Sequence, residues 1–524
     1  MKRVVIHAGL GLVALVCPPL SRAPAQTAGG LAESAELAPA QAHSGDFVGW
    51  SVAASGDSIV VGAWTSPGAA YVYVRNGAQW DLQAELAPTG ATYPYGFGTR
   101  VAIDGDTLVC GAPMEDLGGG ALYVFERSGA VWDAGQRITI AGSPGLGSAV
   151  AIEGDRLAVG AYGDSGSHGA VFVLSRGPTG WVVDQKLSAA VAYGAEYLGS
   201  SLALQGDSLL AGAPGAMYGA ARAGRACLFS FDGTSWSETA TIAPSDPLDD
   251  RQFGDCVALD GEHLVVGAPA SNAPPTGSVY AFTRVNGVWL QEAKLTSVEG
   301  DIDDRFGSAL ALRGDQLVVG AHIAQGGTGA AYVFERHFGY WSYSWRLAPN
   351  GLDPASRFGL SVAASAQDVV VGAPYGTPAG SAFVFDVAPS PTFHYCSSVP
   401  NSSGLPCSLE SSGSVSLAND DFVLLANGCP PLANGLFFCG SNHAQIPLAN
   451  GFLCVSPFTP GIFRLPPAVQ AGGNGSVARA LEFGALPPGC VITPGSTWYF
   501  QLWFRDGGPG HTNMSDGLGV TFAP

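Results

Sequence analysis

Lysine is almost missing from this chain. Three occur in 524 residues, Lys2, Lys186 and Lys294. Lysine and arginine together number 23 against 42 acidic residues, a formal net charge of −19 spread along the chain rather than gathered in blocks. A surface of that sign repels phosphate backbones and anionic bilayers, which argues against nucleic acid and such membranes as partners. Catalytic signatures are also missing. There is no His-Glu-x-x-His, no Walker A loop, no G-x-G-x-x-G fingerprint and no Cys-x-x-Cys pair, so the spacings that hold zinc or cradle phosphates are not spelled out. Long apolar runs are missing beyond the first residues. Val4 to Val16 is too short for a secure span. Lys2 and Arg3 precede it and Ala23-Pro24-Ala25 follows. That order reads as a cleaved export signal over residues 1–25. No later stretch reads as a membrane span.

What the chain has in plenty is glycine, 74, and proline, 36, and they recur on a period. A Gly-Ala pair stands at Gly62, Gly111, Gly160, Gly212, Gly267, Gly320 and Gly372, seven copies 49 to 55 residues apart. Each copy opens on an apolar residue and Gly, as in Phe97-Gly98, Leu146-Gly147 and Phe306-Gly307. A segment of period two follows, which means a strand. Its small slot is alanine in all seven copies: Ala53, Ala102, Ala151, Ala203, Ala258, Ala311 and Ala363. Such restriction predicts close packing on that face. A turn such as Asp104-Gly105-Asp106 leads into an apolar run such as Leu317-Val318-Val319, the pattern of a strand buried on both faces. The run ends at Gly-Ala-Pro in four copies, with Trp64, Tyr162 and His322 in place of Pro in the others. A loop of variable length, a third strand and a Trp…Leu-Ala-Pro strand complete the unit. Four antiparallel strands in about 50 residues form one propeller blade.

The seventh copy has no fourth strand after Phe385. Ala35-Glu36-Leu37-Ala38-Pro39 repeats Ala84-Glu85-Leu86-Ala87-Pro88, which predicts that residues 31–39 complete the last blade and close the ring. Closure removes an unpaired sheet edge. The Phe-Gly and Gly-Ala-Pro pairs, seven times over, resemble FG-GAP repeats, which build the seven-bladed propeller of integrin α subunits and of many secreted bacterial proteins. The resemblance covers residues 31 to 388. It implies the fold strongly and a function weakly.

Propeller residues 31–387 are followed by a short linker, 388–391, and by a second domain at 392–524 with no copy of the repeat. Its alternating segments predict a smaller β-sandwich-like domain. It holds Cys396, Cys407, Cys429, Cys439, Cys454 and Cys490, which in an exported chain read as up to three disulfides with the pairing open. The propeller holds only Cys110, Cys227 and Cys256. The ending, from Thr497 to Phe522, resembles the C-terminal domain of many exported bacterial proteins.

Three spellings bear on chemistry. Gly163-Asp164-Ser165-Gly166 matches a protease nucleophile motif but stands in a variable loop, and a triad is defined by geometry. Arg313-Gly314-Asp315 matches an adhesion tripeptide but occupies the strand-connecting turn of its repeat. For calcium, which wants six to eight oxygens, no repeat carries the full acidic loop. The nearest sets are Asp246, Asp249 and Asp250, and Asp301, Asp303 and Asp304, each followed by an arginine that offers an ion pair instead. No other cofactor is expected.

The reading is therefore an all-β, exported protein, secreted or on the cell surface, monomeric and non-enzymatic. It is expected to bind an extracellular protein or a glycan through the variable loops at one end of the propeller, since such loops on a rigid scaffold are where binding resides. Tyr93, Tyr95, Tyr193, Tyr197 and Tyr218 are the candidate anchors. A hydrolase or lyase acting on carbohydrate, or a purely structural envelope component, are the alternatives.

Overall fold

The structure is a computed structural model. It describes residues 33–523 apart from 66, 191–193, 220, 248–251, 270–275, 298–302, 338, 377, 388–391, 397, 449–450, 459–460 and 508–511. Two compact units divide it, one ending at Tyr395 and one running from Cys396 to the C-terminus.

The first unit is built of seven antiparallel sheets. Sheet one is typical: Val48–Ser55, Ser58–Ala63, Ala69–Asn76 and Gln79–Leu86, in that spatial order. The innermost strands of sheets two to seven are Arg100–Asp104, Leu146–Glu153, Leu202–Gln205, Cys256–Asp260, Ala309–Arg313 and Ser361–Ala364. They meet one another in chain order, and that of sheet seven meets that of sheet one. The sheets thus form a closed ring, the propeller architecture.

The apolar runs explain the ring. In a strand, successive side chains point to opposite faces. Leu317 and Val319 join the core shared with sheet five, while Val318 joins the core shared with sheet seven. Cys110 faces sheet one and its neighbour Val109 faces sheet three. One apolar core lies between each adjacent pair of sheets, including the seventh and first, where Val370 and Val384 pack with Val52 and Val61. Each fully buried Val or Leu contributes about 1.5–3 kcal/mol, so every sheet is stabilised from both sides.

The alanine slot belongs to these cores. Ala53 packs into the core shared with sheet two and Ala311 into the one shared with sheet seven. The tightest approach is at the signature glycines instead. A Cβ on Gly62 would overlap the carbonyl oxygen of Gly98 in the next sheet. The same holds for Gly111 against Gly147, Gly160 against Gly199, Gly212 against Gly254, Gly267 against Gly307 and Gly320 against Gly359. Gly372 meets Gly49 in the same way and carries the contact across the seam.

Sheet seven draws its outer strand from the start of the described chain. Ala35–Leu37 pairs antiparallel with Ser381–Asp386, Ala35 opposite Val384 and Leu37 opposite Ala382. Leu37 is buried. Sheet two departs from the pattern: its fourth segment is split into Val131–Trp132 and Gln136–Ile138. Gly135, between them, passes so close to the Phe125 ring that no Cβ fits.

In the second unit, Asn434–Gly440 lies between Phe463–Gln470 and Thr497–Arg505, and the latter also pairs with Gly517–Thr521 and Thr512–Met514. Ser408–Ser412, Val423–Asn427 and Val477–Ala480 form a second sheet. Leu409, Phe422 and Leu424 pack with Phe437, Phe500 and Phe522 in one core, the two-layer arrangement of a sandwich. Cys396 and Cys454 form a disulfide. The Cys439 and Cys490 sulfurs lie 3.5 Å apart as thiols. The buried Cys407 thiol shares a hydrogen bond with Cys429 and, by that and by burial, is pushed well above its ordinary pKa.

Candidate binding face

The Phe-Gly pair of each repeat turns the chain into the innermost strand. The backbone N–H of Trp50 donates to the carbonyl of Phe47 at 3.2 Å, and that of Leu360 to Arg357 at 3.1 Å, with the same bond in the five other copies. The third turn residue is Gly at positive φ, 92° at Gly49 and 89° at Gly359, as a type II turn requires. The residue that opens each turn is also left-handed. Gly occupies it in sheets two and three, but Phe47 (53°), Tyr197 (60°), Gln252 (56°), Arg305 (55°) and Arg357 (54°) occupy it in the others. Non-glycine residues held there cost on the order of 1–3 kcal/mol each. The fold therefore presents seven equivalent positions at one end of the ring and fills them unequally.

On one arc the filling is aromatic. Phe47 lies 5.0 Å from Tyr375, 5.9 Å from Trp64 and 6.2 Å from Trp50, ring centre to ring centre. Trp50 and Trp64 are 4.5 Å apart, and Tyr95 of the next sheet meets Trp64 edge-on at 6.1 Å. The Trp64 indole N–H is buried and has no acceptor among the described residues. Tyr95 and Tyr375 remain 41% and 36% exposed, which leaves ring surface open at the edges of the cluster.

The arc continues into arginine. The Arg357 guanidinium sits over the Tyr375 ring at 4.6 Å, a cation–π contact. Arg305 occupies the same turn position one sheet earlier. Between them lies His322, which stands where four other repeats have proline. Its Nδ1 is 2.8 Å from Ser308 Oγ. Burial first, then the charges of Arg305 and Arg357, push the imidazole down to about 4, so it is neutral at ordinary pH. Arg100 of sheet two feels Asp255 and Cys256 of sheet five. Those sheets are not neighbours in the ring, so the interaction crosses its centre. Burial outweighs Arg100 and Arg305 and holds the Asp255 carboxyl above its usual range.

The expected anchors fall into three groups. Tyr95 belongs to the aromatic cluster. Tyr93, 57% exposed, lines a shallow open depression with Tyr95, Met114 and Leu117. Tyr197 meets Tyr162, another replacement of the Gly-Ala-Pro proline, at 6.5 Å. Tyr218 is exposed and bridges to Ala221. Tyr193 lies outside the described residues. Phe47, Trp50, Tyr375, Arg305, Arg357 and His322 were not among the anchors. Their signal was departure from the repeat at a single slot, as where Trp64 or His322 displaces proline.

Of the calcium candidates, Asp249, Asp250 and Asp301 lie outside the described residues. Asp303 is exposed, Asp304 is buried, and Asp246 is paired with Lys294 at 2.7 Å and Tyr280. Among the described residues, no three His, Cys, Asp or Glu side chains are placed to hold a metal ion. Asp164 of the protease-like spelling is buried and paired with Lys186 at 2.6 Å. In Arg313-Gly314-Asp315, the Gly314 N–H is bound by Asp260 and Asp315 by Arg336 at 3.3 Å.

The FG-GAP repeat model matches residues 31–73, 80–125, 236–282, 289–334 and 341–385. The unmatched stretch between 125 and 236 holds sheets three and four, whose turns carry Leu146 and Leu198 where Phe stands in sheets two, five, six and seven. No curated protein matches the chain. In five segments of its first unit, the chain carries FG-GAP repeats, set in a β-propeller.

Proposed function

We propose that the protein works outside the cell as a non-enzymatic binding protein, and that the end of the ring bearing Phe47, Trp50, Trp64, Tyr95, Tyr375 and Arg357 is its contact surface for a protein or glycan. The observation that carries this reading is the half-exposed aromatic cluster itself. A propeller needs apolar side chains between its sheets, and those slots are already filled; rings left partly open at the rim serve contact better than packing. The Cys396–Cys454 disulfide suits an oxidising compartment, in keeping with the export signal read from residues 1–25.

Ser308 and His322 favour one other reading, a hydrolase using a hydroxyl and an imidazole. A general base works best with a pKa near the operating pH, and His322 is held near 4. That weighs against the enzyme. The deciding experiment is a binding screen of the mature chain against glycans and extracellular proteins, repeated with Tyr95→Ala and Trp64→Ala. Binding that falls with these variants while melting is unchanged supports the face. A partner whose affinity ignores both, or turnover of a carbohydrate that is abolished by His322→Asn, overturns it.

A further inference from the structure

Many arginines of the ring have an acidic partner. Arg75, Arg127, Arg137, Arg176, Arg225 and Arg336 each have a carboxylate within ion-pair distance. Arg305 and Arg357 have none among the described residues, although the chain carries 42 acidic side chains to 23 basic ones. Both are held in left-handed backbone, in equivalent positions of adjacent sheets, and both act on the same imidazole. Among the described residues, Arg100 and Arg313 also lack an ion pair, and Arg305 feels the buried Asp255 from a distance, but Arg305 and Arg357 stand together, in equivalent turn positions, with no carboxylate at contact distance. Directly beside them lies the aromatic cluster, joined through the Arg357–Tyr375 contact.

We propose that this arc binds an acidic polysaccharide, with Arg305 and Arg357 taking the carboxylates of uronic acid units and Tyr375, Trp50, Trp64 and Tyr95 stacking on the sugar rings. The proposal rests on the binding reading above and names its ligand class. Guanidinium groups match carboxylate geometry with paired N–H donors. Aromatic faces cover the apolar C–H side of a pyranose, and Tyr95 and Tyr375 keep theirs partly exposed. An acidic peptide would use the arginines but not a run of stepped aromatic rings. A neutral glycan would use the rings but not the arginines. Only a carboxylated sugar chain uses both, and its repeating unit suits a surface laid out along several neighbouring sheets.

The test is calorimetric titration of the full mature chain with polygalacturonate, alginate and hyaluronan, and with methyl-esterified polygalacturonate and polyglutamate as comparators. Binding to at least one polyuronate is expected. Each of Arg305→Gln and Arg357→Gln should weaken it about tenfold, the loss of one charge-assisted contact, with melting unchanged. Tyr95→Ala should weaken it too, and esterified polymer and polyglutamate should bind at least about tenfold less tightly. Equal binding of esterified and free polymer, with the arginine variants neutral and Tyr95→Ala weaker, would overturn the acidic-sugar proposal while leaving the binding face standing. Polyglutamate binding as well as polyuronate would replace the sugar with an acidic peptide. If no polyuronate binds, the proposal fails; if a partner found in the wider screen also ignores Tyr95→Ala and Trp64→Ala, the face fails with it.

Discussion

The two ends of the ring obey different rules. At the end where the tight hairpins lie, the polar groups satisfy one another, sheet to sheet. Arg127 pairs with Asp106 at 2.7 Å and lies over Trp132; Arg176 pairs with Asp155 and with Glu126 of the previous sheet and lies over Trp181. Arg336 and the Trp341 indole both reach Glu292 of sheet five. Hairpin backbones are tied as well, the Gly154 N–H to Asp104 at 2.7 Å. The same device recurs because the same joint recurs. At the other end, equivalent turn positions hold Phe, Gly, Gly, Tyr, Gln, Arg and Arg. Repetition there stops at the backbone. Conserving the joint and varying the rim is what a scaffold for recognition requires.

The comparison is broken most severely where the joint is backbone against backbone. Gly372→Val places a side chain on the Gly49 carbonyl, which has no room to yield. A loss of about 3 kcal/mol or more is expected, read by denaturant unfolding. Gly105→Ala, at a hairpin with open space around it and φ 56°, should cost only about 1 kcal/mol. If the two cost the same, glycine is there for conformation alone and the ring is not closed by contact.

A second test uses pH. His322 has a folded pKa of about 4, below its ordinary 6.5. Above pH 6.5 it is neutral folded and unfolded, and contributes nothing to pH dependence. As pH falls from 6.5 to 4 the unfolded chain takes up the proton first, so stability drops across that window. The drop attributable to this residue is at most about 3 kcal/mol. His322→Asn should lose that much less stability between pH 7 and 4.5. An unchanged slope would show that neither burial nor the rim arginines hold the imidazole below its ordinary pKa.

The third compares arginines directly. Arg336→Ala leaves Glu292 without its main partner and should destabilise by about 2 kcal/mol. Arg357→Ala, on the rim, should change stability by no more than about 0.5 kcal/mol. Melting curves of the two variants sharpen or erase the division between joint and rim.

How far the residues themselves announced this varies along the chain. Period-two alternation in Leu310-Ala311-Leu312 and the apolar run at Leu317 were enough to see strands buried on both faces, and the all-β architecture followed. The reason for the signature glycines was not visible. Gly62 is glycine because of a carbonyl 36 residues later in another sheet, and no local pattern records that contact. Tyr95 was visible as a loop aromatic, but its partner Trp64 comes from another sheet. Arg305 stood next to Asp303 and Asp304 and invited an ion pair; in the fold, Asp304 is buried and the guanidinium pairs with none of the described acids. Local reading sees neighbours in the chain, whereas the rim is assembled across the ring.

The pairing of Ala35–Leu37 with Ser381–Asp386 bears on how the protein comes into being. A ribosome releases residue 35 long before residue 386. Through nearly the whole of synthesis this strand has no partner, and the turn at Gly49 has no Gly372 to meet. Five or six finished sheets still leave two open flanks, each with apolar faces of the kind that aggregate. Completion is therefore a late, long-range event, which slow folding and help from holding factors would suit. For the same reason the ring does not shorten gracefully: a chain missing one internal repeat keeps both halves of the clasp but must close a smaller circle, and each surviving joint would have to change its angle.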